Sequence, residues 1–458
     1  MTEFIVFLFL ALGLLICVSD WRKGIFLCII VGFLQDPMRK ILPGEPLYIT
    51  AMIALFAFAT LIGAKIRFVK FNFRTLHQMK GFLQNPLKIF VVLVLIQSVM
   101  AILTTGSFII ATIGMLAYLS PIPILLLGFH LVRNKDDVFR IMKFYISISI
   151  LMSAGIYLSY MGFEWDILRA VGTELYVYPI SGGVIKLHSG FFRSSEVAAW
   201  HAGASICFIF ILFITSKGTR PFKWLSIPFT IYFLVAVILA GRRKIIAELV
   251  IFITFYGFLL LFFRRGAMKL AIFTLAIGLL FAYLGGTYII KDADSDLFKY
   301  FERPKGIVEA SAERLQLMTT GTLRWAIARN GFFGAGAGAG SQGAQYFGGG
   351  AQMVGYSAEG GLGKVVAELG VPGLMIFSWF LFALARYLKW ILDETEKRDY
   401  LENRMIYGIV SFLLANAVVF VTAHQVFGDI FVLFMLSLMI GSVLGMQKIH
   451  MIAQGKLS

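Results

Sequence analysis

The sequence predicts an all-α, polytopic transmembrane helix bundle of 12 or 13 helices, with a long, partly helical, glycine-rich outer loop. Three observations carry that prediction. Residues of the AVILMFWYC set make up 59% of the chain and charged residues only 14%, whereas soluble domains hold roughly 45–50% and about 25%. Apolar runs of about 18–25 residues recur, each long enough to cross roughly 30 Å of hydrocarbon. The short alternating segments of a β-barrel do not occur, so backbone groups in lipid must bond within helices.

A soluble chain of 458 residues would divide into domains joined by polar linkers. None is seen, and residues 1–458 read as a single membrane domain. The first apolar run, 4–19, follows Met-Thr-Glu with no basic region and no cleavage site, and reads as a retained helix. The second, 24–35, is short for a full crossing. Helices follow at 47–64, 88–104, 107–131 and 138–160. After a first outer loop at 161–196 come 197–216, 224–240, 243–263 and 268–290. A large outer loop spans 291–362, and 363–388, 405–424 and 428–446 complete the bundle.

Basic loops orient the bundle. The 65–88 loop carries Lys65, Arg67, Lys70, Arg74, Lys80 and Lys88 with no acid, and is expected to be cytoplasmic. Counting forward, 133–143, 217–223, 264–269, 386–404 and the tail from Lys448 fall on the same side. The net charge of +16 is thereby explained by orientation and contact with anionic lipids, without a nucleic-acid partner. Cys17, Cys28 and Cys207 lie in apolar runs without ligand-like spacing, and read as packing residues.

The large outer loop opens on Lys291-Asp-Ala-Asp-Ser-Asp296, carries a predicted helix over roughly 308–330, and turns glycine-rich from Gly331 to Gly340 and again at 348–350 and 360–361. Such glycines let backbone approach a ligand closely, or let a loop fold tightly over the membrane surface. Asp292, Asp294 and Asp296 imitate the opening of a calcium loop, but Leu297 and Arg303 stand where glycine and glutamate are needed. No metal or organic cofactor is expected. The glycine alternation at 334–340 follows no strand, so it is not a dinucleotide motif.

Basic residues on the outer side are exceptions to the orientation rule. Arg193 precedes one helix, Arg242, Arg243 and Lys244 open another after Gly241, and Arg314 and Arg324 lie on the predicted loop helix. A guanidinium matches phosphate oxygens bidentately, and a helix N-terminus favours an anion. Together they can hold a pyrophosphate at the membrane surface. The bland alternative is snorkelling to headgroups or pairing with local acids. Glu359 can serve as a base or substrate ligand beside them, or simply complement a helix dipole. Glu196 can pair with Arg193, Glu248 with Lys244 four residues earlier, and Glu368 can orient another group or make a buried hydrogen bond. His201, on an apolar helix, reads as a core histidine.

Three stretches resemble a known superfamily, the bacterial O-antigen ligases and O-antigen or exopolysaccharide polymerases. They are Leu239-Ala-Gly-Arg-Arg-Lys244, Trp325-Ala-Ile-Ala-Arg-Asn-Gly-Phe-Phe-Gly-Ala-Gly336, and Glu359-Gly-Gly-Leu-Gly-Lys-Val-Val-Ala-Glu-Leu-Gly-Val-Pro-Gly373. The resemblance runs from about Arg193 to Gly373. It implies a metal-independent glycosyltransferase of the bacterial cytoplasmic (inner) membrane, acting at the periplasmic face. The donor it implies is a glycan on undecaprenyl pyrophosphate, and the acceptor a sugar hydroxyl. Other polysaccharide assembly and export proteins would be its partners. Arg193 and Arg242 or Arg243 match the arginines that hold pyrophosphate in this family. Its histidine position is Glu359 here, which favours a polymerase over a ligase. Its arginine before the tryptophan falls on Gly321, with Arg324 or Arg314 as substitutes. A secondary transporter or lipid-linked glycan flippase, and a noncatalytic membrane scaffold, are the readings from other classes. Transport is disfavoured because polar residues gather at one surface rather than at the midplane.

Overall fold

The computed structural model describes residues 2–67, 79, 81–171, 176–177, 184–215, 220–263, 316–341, 344, 360–394 and 399–456. The architecture is the expected all-α bundle. Its helices are α1 (Thr2–Ser19), α2 (Trp21–Ile41), α3 (Met52–Ile66), α4 (Gln84–Thr105), α5 (Phe108–Leu119), α6 (Pro121–Leu131), α7 (Lys135–Tyr160), α8 (Ser195–Thr215), α9 (Arg220–Leu239), α10 (Arg243–Phe263), α11 (Thr322–Asn330), α12 (Gly361–Asp393), α13 (Tyr400–Thr422) and α14 (Ile430–Ala453). A two-residue antiparallel ladder, with Tyr176 opposite Lys186, lies before α8. Among the described residues, nine helical spans are long and apolar enough to cross a membrane. The chain is a multi-pass membrane protein. The helix expected at 268–290, the aspartates at 292–296, Arg314 and Glu359 lie outside the described residues.

Some elements differ from their expected form. The run at 107–131 is two helices, because Pro121 cannot donate to a preceding turn and instead opens α6. More consequentially, α2 is a full 21 residues, about 31 Å long. The apolar run ends at Leu34, yet the helix continues through Gln35, Asp36, Arg39 and Lys40, all buried. Tertiary contacts, not hydropathy, decide its length.

By contacts the chain divides into two compact units. The first comprises Met1–Gly63, Asn134–Ser311 and Glu396–Asn416. Its centre is α8, where nearly every residue is buried. His201 lies in an aromatic nest there. Its Nδ1 is 2.6 Å from the Tyr145 hydroxyl, and Phe192 stacks on its ring at 5.2 Å. Asp20 caps α2 and Asn134 caps α7 through backbone N–H groups of the following turn.

The second unit comprises Ala64–Arg133, Ala312–Thr395 and Ala417–Ser458. In it α6 and α14 approach through glycines. A Cβ on Gly128 would meet the Leu438 carbonyl, and one on Gly441 the backbone of Gly128 and Phe129. Small residues allow this close backbone approach in lipid, where packing replaces the hydrophobic drive.

The same unit contains a spliced helix. Within α12, Gly370 leaves helical geometry at φ 73°, ψ −177°, and Pro372 follows. Pro372 has no N–H, so the Glu368 carbonyl loses its helical donor. The glycine-rich segment supplies replacements. Ala335 N–H donates to Ala367 O at 2.8 Å, Gly336 N–H to Glu368 O at 3.1 Å, and Val371 N–H to Phe332 O at 2.9 Å. Gln97 of α4 donates to Phe333 O at 3.0 Å and Leu369 O at 3.4 Å. The break is tolerated because protein satisfies every one of these groups. Gly336, at φ 102°, has no room for a side chain against Ala101 of α4. Of the two uses open to the glycine run, tight folding is the one seen at 334–338.

Candidate functional site

The first unit brings three of the expected arginines into one neighbourhood. α9 ends at Leu239, Gly241 turns the chain at φ 66°, and α10 begins at Arg243. Arg242 therefore sits at the helix start, its carbonyl accepting from Ile245 N–H at 3.0 Å. Its Nε donates to Ser195 Oγ at 3.1 Å. Ser195 is the first residue of α8, and Arg193 lies two residues before it. The N-terminal ends of α8 and α10 thus meet, and both helix dipoles present their positive ends there. Arg193, Arg242 and Arg243 are all half-buried. Burial pushes the Arg242 guanidinium down to about 10, so it keeps its charge at neutral pH.

Acidic partners complete this end of the unit. Glu196 pairs with Lys244, joining the first turns of α8 and α10. One turn deeper, Asn416 of α13 accepts from Trp200 Nε1 at 2.8 Å and donates to Glu248 Oε1 at 2.7 Å. Glu248 is thus held by an amide from a third helix, while the Lys244 ammonium reaches Glu196 rather than serving Glu248 alone. His201 has the aromatic core environment expected of it.

The segment leading into Arg193 is also fixed. Asp36 Oδ2 accepts from Arg193 N–H at 2.9 Å, and the Arg193 carbonyl accepts from Val171 N–H at 2.8 Å. Lys40 Nζ donates to the carbonyls of Ile167 at 3.1 Å, Gly190 at 2.7 Å and Phe192 at 2.6 Å. Asp36, Lys40, Ser195 and Asn416 were not among the residues expected from sequence. The four-residue spacing of Asp36 and Lys40 after an apolar run was the available signal. Ser195 and Asn416, lone polar residues at or within apolar runs, gave none.

Neither a family model nor a curated protein matches the chain.

The chemistry open to this corner follows from its residues. Guanidinium groups, a serine hydroxyl and two helix N-termini favour a phosphate-bearing anion. No group of metal-ligating side chains occurs among the described residues.

The second unit holds two further expected residues. Arg324 is exposed on α11, in the turn before Arg329, whose guanidinium lies 6.0 Å from the Trp325 ring. Glu368 is 1% exposed. Its Oε2 accepts from the Tyr118 hydroxyl at 2.6 Å and its Oε1 from Gly340 N–H at 3.2 Å. It therefore makes a buried hydrogen bond and also orients a neighbour, the glycine-rich segment. Arg193, Arg242 and Arg243 share one unit, Arg324 belongs to the other, and Arg314 and Glu359 fall outside the described residues.

Proposed function

We propose that the chain is a membrane glycosyltransferase that polymerises exopolysaccharide or O-antigen repeat units. The observation supporting this most is the meeting of Arg242 with the start of α8, two residues after Arg193. In the proposed reaction an acceptor sugar hydroxyl attacks the anomeric carbon of a glycan on undecaprenyl pyrophosphate. The new glycosidic C–O bond forms as the anomeric C–O bond to phosphate breaks, and the pyrophosphate leaves with the electron pair. Arg193, Arg242 and Arg243 stabilise the charge that develops on it. Glu359 takes the hydroxyl proton. The polyprenyl tail stays in lipid, which suits a site at helix ends. The enzyme then belongs to a bacterial inner membrane, with its active face periplasmic, and its partners are the donor, the glycan acceptor and other polysaccharide assembly and export proteins. A ligase passing finished glycan to a lipid or protein acceptor would use the same pyrophosphate site.

The test is polymer length in cells carrying Arg193→Ala, Arg242→Ala or Glu359→Gln. Loss of long chains with normal membrane insertion is expected. Normal polymer from all three variants would end the proposal. Supplying purified donor with and without a separate acceptor distinguishes polymerase from ligase.

One observation favours a second reading, transport. The break at Gly370 is of the kind that forms midplane substrate sites in transporters. Here, however, its freed carbonyls of Ala367, Glu368 and Leu369 are taken by the chain's own groups. Substrate flux into proteoliposomes, insensitive to Arg193→Ala and Arg242→Ala, would establish transport instead.

A further inference from the structure

We propose that Asp36 and Lys40 are positioning residues for the anion site, holding the strap Leu187–Arg193 so that Arg193 enters α8 in register with Arg242. The anion in question rests on the pyrophosphate reading above.

A lysine ammonium has three N–H donors and no acceptor. Lys40 is 8% exposed and directs its ammonium at three carbonyls, two of them on the strap at Gly190 and Phe192. Burying a cation costs several kcal/mol unless hydrogen bonds replace water, so a lysine here is a poor choice for packing alone. What it provides is convergence, since one compact cation gathers carbonyls from separate stretches of chain. One turn earlier Asp36 takes the Arg193 N–H, and with Val171 it fixes both peptide groups of that residue. The other end of the strap has its own reference. His188 N–H donates to Leu239 O at 3.4 Å, and Ser159 Oγ lies 2.9 Å from its Nδ1. Leu239 is the last residue of α9, and Arg242 follows three residues on. In between, Gly190 leaves no room for a side chain against α7 at Gly155 and Ile156. One rigid strap therefore sets the backbone of Arg193 relative to the turn that carries Arg242.

A purely structural role predicts lost stability with no selective effect on binding. The positioning role predicts coupling to Arg193. The experiment uses the full chain in lipid nanodiscs with farnesyl pyrophosphate as the probe, read by titration calorimetry. Hydrogen exchange across 187–194 is followed in parallel. Lys40→Met is expected to bind about ten-fold more weakly, as for the loss of one hydrogen bond from a charged group when Arg193 is no longer held in place. The double variant Lys40→Met/Arg193→Ala should bind no worse than Arg193→Ala alone, and strap amides should exchange faster in Lys40→Met. Lys40→Arg should bind between wild type and Lys40→Met, because a planar guanidinium cannot converge on three carbonyls in the same way. Asp36→Asn, close to isosteric, supplies the same measurement if Lys40→Met does not fold, with a several-fold loss expected. Wild-type binding by Lys40→Met and Asp36→Asn, while Arg193→Ala is weakened, would overturn the proposal. So would losses from Lys40→Met and Arg193→Ala that simply multiply. Wild-type binding by both Arg193→Ala and Arg242→Ala is a separate signature. It removes the pyrophosphate site itself, and the positioning role with it.

Discussion

Arg242 Nε donates to Ser195 Oγ across 3.1 Å, tying the start of α10 to the start of α8. One contact thus unites two helix N-termini that are 47 residues apart in sequence. Ser195→Ala removes a neutral acceptor from a charged donor. It should weaken farnesyl pyrophosphate binding only a few-fold, whereas Arg242→Ala should weaken it by about ten-fold or more, as expected for hydrogen bonds worth about 1.5–3 kcal/mol to a charged group. Calorimetric titration checks the ranking. Burial lowers the guanidinium only to about 10, so its contribution should hold unchanged across the neutral range.

Asn416 bridges Trp200 and Glu248 inside the first unit. Asn416→Ala leaves an indole N–H and a carboxyl group without that partner. Each such loss costs about 1–3 kcal/mol, so a clear fall in Tm is expected. Trp200→Phe combined with Asn416→Ala should cost less than the sum of the two single changes. Thermal unfolding in detergent measures both.

Glu368 joins Tyr118 to the glycine-rich segment. Tyr118→Phe and Glu368→Gln should be coupled by about 0.5–3 kcal/mol in a double-mutant cycle, as residues in one hydrogen-bond network are. Additive losses would mean that the pair does not act as a unit.

Gly331 and Gly336 both have positive φ, but only Gly336 lies against other backbone. Gly331, at φ 72° and ψ −176°, is in a region that only glycine enters readily, and Gly331→Ala should cost about 1–3 kcal/mol, the conformational term alone. Gly336→Ala must also displace Ala101 and should cost markedly more. Equal shifts in Tm for the two would count against the close approach of the glycine-rich segment to α4.

Much of the bundle was legible because hydropathy acts locally. A run such as 428–446 must find an apolar environment whatever its neighbours, so its length and composition are sufficient. The far end of α2 was not legible for the same reason. Asp36 and Lys40 look like the end of a membrane run until the carbonyls that receive Lys40 are known, and those lie 127 to 152 residues away. The candidate site divides similarly. Arg193, Arg242 and Arg243 stood out as cations on the side that the basic loops predict to be outer. Their supports did not, since a serine beginning a helix or an asparagine inside one is unremarkable until its partner is in place.

The sequence by itself determined that this protein is a many-helix membrane bundle, because burying apolar runs in lipid is a property of each run. Only the tertiary structure decided that Gly370 interrupts α12, that Phe332–Ala337 makes good the lost hydrogen bonds, and that Asp36 and Lys40 brace Arg193. Those outcomes depend on backbone groups and buried charges, which are tolerable in lipid only when a specific partner, distant in sequence, completes them.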